Sequence, residues 1–372
     1  MSFAIALNPA LKNLPVYQPG RPITEVAREL SLDPATIIKM ASNENSMGPS
    51  PLAVKAMQEA LTSMNQYPDG NAFYLKQRLS KKMGVPVNQL AVGNGSNELL
   101  ELIGHAVLSP GDEVVASQYS FAVYPIVAHL FGARFITVPA RNFGHDLPAM
   151  LKAVTPQTKI MFVANPNNPT GTMASRAELL QLIHEVPSHV LVVMDEAYID
   201  FPDDAPDLIP YVRSGQHPNL LLCRTFSKIY GLAGLRVGFA MGHPEMIAAL
   251  DKVRQPFNTN AIGQIGALAA LDDTAHLEKT RINNKAGLAF FEKTFKRLNL
   301  EYVPSFANFI LVKVGDGQKL SAELQKLGVI TRPVNNYQLP EWLRITVGTV
   351  SENERCVAAL EKVLRRSQES AS

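Results

Sequence analysis

Residues 159–201, KIMFVANPNNPTGTMASRAELLQLIHEVPSHVLVVMDEAYIDF, decide the fold class. Two short apolar runs, KIMFVA and HVLVVM, flank SRAELLQLIHEV, whose apolar positions recur at helical spacing. A strand buried on both faces reads as a continuous apolar run, so both runs read as interior strands of a sheet covered by helices. A strand–helix–strand order of this kind makes the sheet mostly parallel.

The alternation extends outward, from about residue 86 to 260. QLAVGNG precedes SNELLELIGHAVL, DEVVAS precedes FAVYPIVAHLFG, and ARFITVPA, NLLLCRTFS and LRVGFAMG supply further strands. From residue 262 the pattern changes, with IGQIGALAALDD and EKTRINNKAGLAFFEKTFKRLN ahead of ANFILVKV, GVITRPV and LRITVGT. That order reads as a smaller α+β domain. Residues 1–44, rich in Pro and turn residues, read as an arm with one helix, ITEVAREL, packing on the small domain. The expected organisation is an α/β fold: arm 1–44, large domain 45–261, small domain 262–372. The polar tail Arg366–Ser372 is expected to be disordered.

Composition excludes several classes. The 372 residues carry 35 Lys+Arg against 33 Asp+Glu, a formal charge of +2, which gives no electrostatic case for nucleic acid or an anionic membrane. No apolar stretch approaches the roughly 20 residues that cross a bilayer. MSFAIALNPALKNLPVY lacks a basic region ahead of its short apolar run, so no secretory signal is expected and the cytoplasm is the expected location. Two cysteines, Cys223 and Cys356, are too few for a disulfide framework or a thiolate metal site, and both read as reduced core residues. No H-E-x-x-H or Cys/His cluster points to a metal.

Four segments carry chemistry. In LAVGNGSNELL a strand runs through Gly95, Ser96 and Asn97 into a helix, where free N–H groups suit a phosphate; a turn at Gly95 with Ser96 as a simple cap fits the motif equally well. Glu98 stands where G-x-G-x-x-G needs Gly or Ala, which weighs against a nicotinamide-dependent oxidoreductase. ANPNNPTG, residues 164–171, is a rigid loop able to hold Asn168 against a ligand at a strand end, or a plain turn. VLVVMDEAYIDF ends a buried strand in Asp195, Glu196 and Tyr198, and a carboxylate there needs a cationic ring nitrogen, a metal or a structural Arg as partner. LLLCRTFSKIYGLAGLRVGF leads another strand into Ser227, Lys228 and Arg236; Lys228 is a snorkelling surface residue or a desolvated amine able to form a Schiff base. Taken in order, the four segments hold the groups that pyridoxal 5'-phosphate (PLP) needs.

The constellation resembles the fold-type-I PLP-dependent aminotransferases, and among them the histidinol-phosphate aminotransferase family. PVYQPGRPITEVAREL, KMASNENSMGPSP, QYPDGNAFYLKQRL, VGNGSNELLELI, FAVY, NPNNPTG, DEAYIDF, FSKIYGLAGLRVG, TRPV and LRITVGT carry the resemblance over most of the chain. One departure is Ser46, where the family more often has Pro. By this resemblance Lys228 holds PLP covalently and shuttles the substrate proton, Asp195 keeps the pyridine nitrogen protonated, and Asn168 and Tyr198 hydrogen-bond the phenolic oxygen. Phe121 matches the ring that stacks on the cofactor, and Gly95, Ser96, Asn97, Ser227 and Arg236 match the phosphate site. The family's homodimers imply that Tyr67 reaches the neighbouring subunit's phosphate. Tyr17, Arg332 and Arg344 match the substrate site, with Arg344 a planar bidentate partner for an anion.

The implied activity is transfer of an amino group between histidinol phosphate and 2-oxoglutarate. An aromatic amino acid aminotransferase is the alternative within the family, followed by a phosphothreonine decarboxylase and a PLP-binding protein without activity.

Overall fold

A computed structural model describes residues 9–14 and 16–369. After β1 (Ile38–Lys39) in the arm come β2 (Leu90–Gly93), β3 (Glu113–Ser117), β4 (Arg134–Val138), β5 (Thr158–Ala164), β6 (Leu191–Asp195), β7 (Leu220–Thr225) and β8 (Gly238–Met241). β2 to β8 form one seven-stranded sheet in the order β2-β8-β7-β6-β5-β3-β4. Only β8 runs antiparallel to its neighbours; the other pairs are parallel.

The continuous apolar runs follow from helices on both faces. In β5, Met161 and Val163 enter one core cluster, while Ile160, Phe162 and Ala164 enter another. Successive side chains of a strand point to opposite faces, so each face must be apolar. Burying a side chain such as Phe162 contributes roughly 1.5–3 kcal/mol. Parallel pairing also sets the carboxyl ends of these strands side by side: Ala164 pairs with Asp195, and Asp195 with Cys223. The loops leaving β5, β6 and β7 therefore meet at one edge of the sheet.

The second sheet contains β9 (Tyr302–Val303), β10 (Phe309–Lys313), β12 (Arg332–Val334) and β13 (Leu339–Thr346), antiparallel in the order β12-β13-β10-β9, while β11 (Val329–Ile330) pairs in parallel with β1. Ile330 also packs with Val26, Ala27, Ile37 and Ala41 of the arm. Residues 1–8 of the expected arm lie outside the described residues.

Two expectations need correction. The helix Ala261–Ala270, assigned by sequence to the small domain, packs on the helices Pro51–Ala60 and Phe73–Met83 of the large one. Its small residues allow the close approach: a Cβ at Gly266 would stand 2.9 Å from Met57 Sδ. The next helix, Thr274–Arg297, places Leu277 in the large core and Phe291 and Phe295 in the small one. We place the division inside this helix rather than at residue 262. The tail is also more ordered than its polarity implied, because the last helix runs from Val350 to Glu369. Residues 366–369 contain no Gly or Pro to stop it; residues 370–372 lie outside the described residues.

Both cysteines are buried free thiols, and burial pushes Cys356 up to about 12. Among the described residues no helix is long and apolar enough to cross a membrane, and no group of His, Cys, Asp and Glu comes together to hold a metal.

Candidate active site

One cavity at the carboxyl ends of the large sheet collects every site residue named from the sequence except Gly95 and Tyr67. Lys228 follows β7 and is half-buried, its Nζ donating to the Ser42 carbonyl at 3.3 Å. Burial, with the neighbouring charge of Arg344, lowers its ammonium to about 8. The shift enlarges the minor share of neutral amine present near neutral pH, the form that attacks a carbonyl.

Asp195 ends β6 and is 6 % exposed. It accepts hydrogen bonds from the Tyr124 hydroxyl at 2.9 Å and the Ala197 N–H at 3.3 Å. Burial raises its pKa, against which Tyr124 and Ala197 act in the opposite sense. Neither donor is a cation, so a positively charged ring nitrogen in the cavity would relieve the desolvation. Tyr124 is itself fixed by stacking on Phe162, with ring centroids 4.4 Å apart, and Phe121 meets its edge at 5.8 Å.

The helix Ser96–Val107 starts at the cavity, with Gly95 as N-cap at φ +80°. No side chain caps it, so Ser96 is not the simple cap that the sequence left open. Gly95 stands behind the wall, where a Cβ would come 2.4 Å from Arg236 Nη2. A Cβ at Gly238 would likewise meet the Ser96 nitrogen at 2.5 Å. These two glycines make a cradle in which Arg236, bound to Ser227 Oγ at 3.2 Å, faces the free N–H groups of the helix. Glu98 turns back to accept from the Asn94 N–H at 2.5 Å and from Asn258 at 2.6 Å, which bolts this loop down. Ser96, Asn97, Ser227 and Arg236 gather hydrogen-bond donors and a positive charge at an uncapped helix start, an arrangement whose chemistry suits an anion such as a phosphate.

Arg344 arrives from β13 of the small sheet, 6 % exposed. It donates to Asn168 Oδ1 and to the Ala41 carbonyl, and its Nε has no partner. Arg332 lies directly opposite it in the β12–β13 register and donates to the Gln18 carbonyl at 2.6 Å, which brings Tyr17 to the rim. Two guanidiniums on one face, one with an orphaned N–H, suit an anionic substrate group.

Tyr67 is 82 % exposed and stacks on Phe257 at 4.7 Å, away from its own chain's cavity. Three residues that the sequence reading did not single out also belong to the site: Asn43 and Tyr337 on its wall and Tyr124 behind Asp195. Tyr124 and Asn43 sit in FAVY and KMASNEN, stretches that carried the resemblance, but only the fold brings them to their partners.

The retained Lys, the carboxylate awaiting a cation and the glycine-lined anion cradle fit PLP. Residues 35–360 match the family model for aminotransferase class I and II, and the chain belongs to that family, with its fold-type-I architecture. Within it, the chain is 48 % identical over 368 residues to histidinol-phosphate aminotransferase 2 of Pseudomonas fluorescens, a match covering 98 % of this chain and 99 % of that one. It is 47 % identical over 365 residues to the histidinol-phosphate aminotransferase of Akkermansia muciniphila, covering 98 % and 100 %. Among solved structures, histidinol-phosphate aminotransferase from Sinorhizobium meliloti in complex with pyridoxal-5'-phosphate superposes with a TM-score of 0.88 at 28 % identity, covering 98 % of this chain and 99 % of that one.

Proposed function

We propose that this chain is a PLP-dependent aminotransferase of histidine biosynthesis that interconverts histidinol phosphate and 2-oxoglutarate with imidazole-acetol phosphate and glutamate. The observation that carries the reading is the pairing of Lys228 with the unsaturated Arg344 in one cavity, beside a separate anion cradle. When bound, PLP supplies an electron sink for negative charge developing at the substrate Cα. Lys228 would attach the cofactor through its amine, and the same amine, when free, would carry the proton to and from the substrate Cα. Asp195 holds the proton on the pyridine nitrogen. Asn168 and Tyr198 would hydrogen-bond the phenolic oxygen, Phe121 would cover the ring, and Ser96, Asn97, Ser227, Arg236 and the amide beside Gly95 would take the cofactor phosphate.

Arg344, Arg332 and Tyr17 then face the distal end of the substrate. They receive the phosphate of histidinol phosphate in one half-reaction and a carboxylate of glutamate in the other. Arg332→Gln should lower the preference for histidinol phosphate over histidinol by about 10–100-fold in kcat/KM, the scale of one charge-assisted hydrogen bond. Glutamate should suffer less, because Arg344 keeps its bidentate contact; Arg344→Gln should damage both half-reactions. An Arg332 variant that leaves the phosphate preference intact would remove this residue from the substrate site.

The working unit in this reading is a cytoplasmic homodimer. Tyr67, Phe73, Tyr74 and Phe257 are exposed aromatics, a surface suited to a second copy, and Tyr67 then reaches the partner's cofactor phosphate.

A further inference from the structure

Asn43, 1 % exposed, follows β1 at φ +55°, a left-handed conformation that Asn tolerates. Thr346, at the end of β13, engages it twice: Thr346 Oγ1 accepts from the Asn43 backbone N–H at 3.0 Å and donates to Asn43 Oδ1 at 3.2 Å. Asn308 Nδ2 donates to the Asn43 carbonyl at 3.0 Å. With its side-chain oxygen engaged, the amide turns its nitrogen outward, and Nδ2 donates to the Tyr198 hydroxyl at 2.9 Å.

A phenol has one proton to give and lone pairs to receive. Because Tyr198 receives from Asn43, its own proton points elsewhere, and the residue lines the cavity. Burial pushes the phenol up to about 12, so the proton is retained. The charged groups facing it are Arg344 and Asp195, together with Lys228, whose Nζ lies 5.5 Å from the ring centroid. Hydrogen bonds in series polarise one another, so a phenol that accepts is a stronger donor.

We propose that Asn43 is a positioning residue that aims the Tyr198 proton at the phenolic oxygen of the bound cofactor and ties this aim to the seating of β13. The inference rests on the reading above that Tyr198 meets that oxygen. A donor on the oxygen withdraws electron density that would otherwise help hold the proton on the neighbouring Lys228 nitrogen. Losing the donor therefore raises the pH at which the cofactor-linked nitrogen deprotonates.

The test is a pH titration of the visible absorbance of the PLP-loaded, substrate-free protein, a readout independent of turnover. Asn43→Gly suits the backbone and removes only the amide; it should raise the midpoint by roughly half a pH unit, the scale of one neutral hydrogen bond. In a Tyr198→Phe background, which itself raises the midpoint, the same replacement should add nothing. Asn43→Asp keeps the shape but makes the side chain an acceptor, so it should raise the midpoint further than Asn43→Gly. Unmoved midpoints in both Asn43 variants would overturn the proposal. A shift of equal size with and without the Tyr198 hydroxyl would overturn it too, because Asn43 would then act by another route. If Tyr198→Phe alone leaves the midpoint unchanged, the placement of Tyr198 fails first and the inference falls with it.

Discussion

Replacing Lys228 with alanine is expected to abolish multiple turnover while leaving the fold intact. The amine, lowered to about 8 by burial, has two tasks in this account, attachment of the cofactor and transfer of the Cα proton, and alanine can do neither. PLP can still bind through the phosphate cradle, so the check is turnover per bound cofactor. Mixing this variant with Tyr67→Phe subunits extends the test to the dimer. One site of the hybrid then pairs an intact Lys228 with the Tyr67 of the Lys228→Ala chain, and activity should exceed the sum of the parents. Turnover at the parental rate in Lys228→Ala would contradict the assignment, and a fully active monomer would contradict the shared site.

Asp195→Asn should slow the chemical step by about 10²–10⁴-fold, because breaking a buried ion pair costs roughly 3–5 kcal/mol and that loss is felt where charge develops on the ring. Tyr124 and the Ala197 N–H remain to hold the amide in place, so circular dichroism should be unchanged. Single-turnover rates in each half-reaction are the measurement. A loss below tenfold would mean that Asp195 does not face the pyridine nitrogen.

The strands and the polar residues that end them at the cavity were legible for one physical reason. A strand covered on both faces must be apolar throughout, so Asp195 and Lys228 stand out at the ends of VLVVM and LLLCRTF. Arg344 was legible only through resemblance, since a strand-end arginine is as often a structural partner. The boundary near residue 262 misled because Gly263, Gly266 and Ala267 show helical periodicity without showing which sheet they cover; close packing on Met57 decides it. Tyr124 looked like one more apolar position in FAVYPIVAHL, and its partner Asp195 is 71 residues away. Asn43 and Tyr198, 155 residues apart, meet where the arm bonds both Thr346 at the end of β13 and Tyr198 beyond β6. Polar contacts across such separations leave no periodic trace, whereas burial does.

The isolated first half-reaction, followed by visible absorbance in the PLP-loaded protein, separates histidinol phosphate from the aromatic amino acids as the amino donor. Histidinol phosphate added without an oxo acid should discharge the band of the Lys228-linked cofactor, and 2-oxoglutarate should restore it with one glutamate formed per site. A band that histidinol phosphate leaves untouched while phenylalanine or tyrosine discharges it would contradict the account, and would make Arg344 the anchor for an α-carboxylate in an aromatic amino acid aminotransferase.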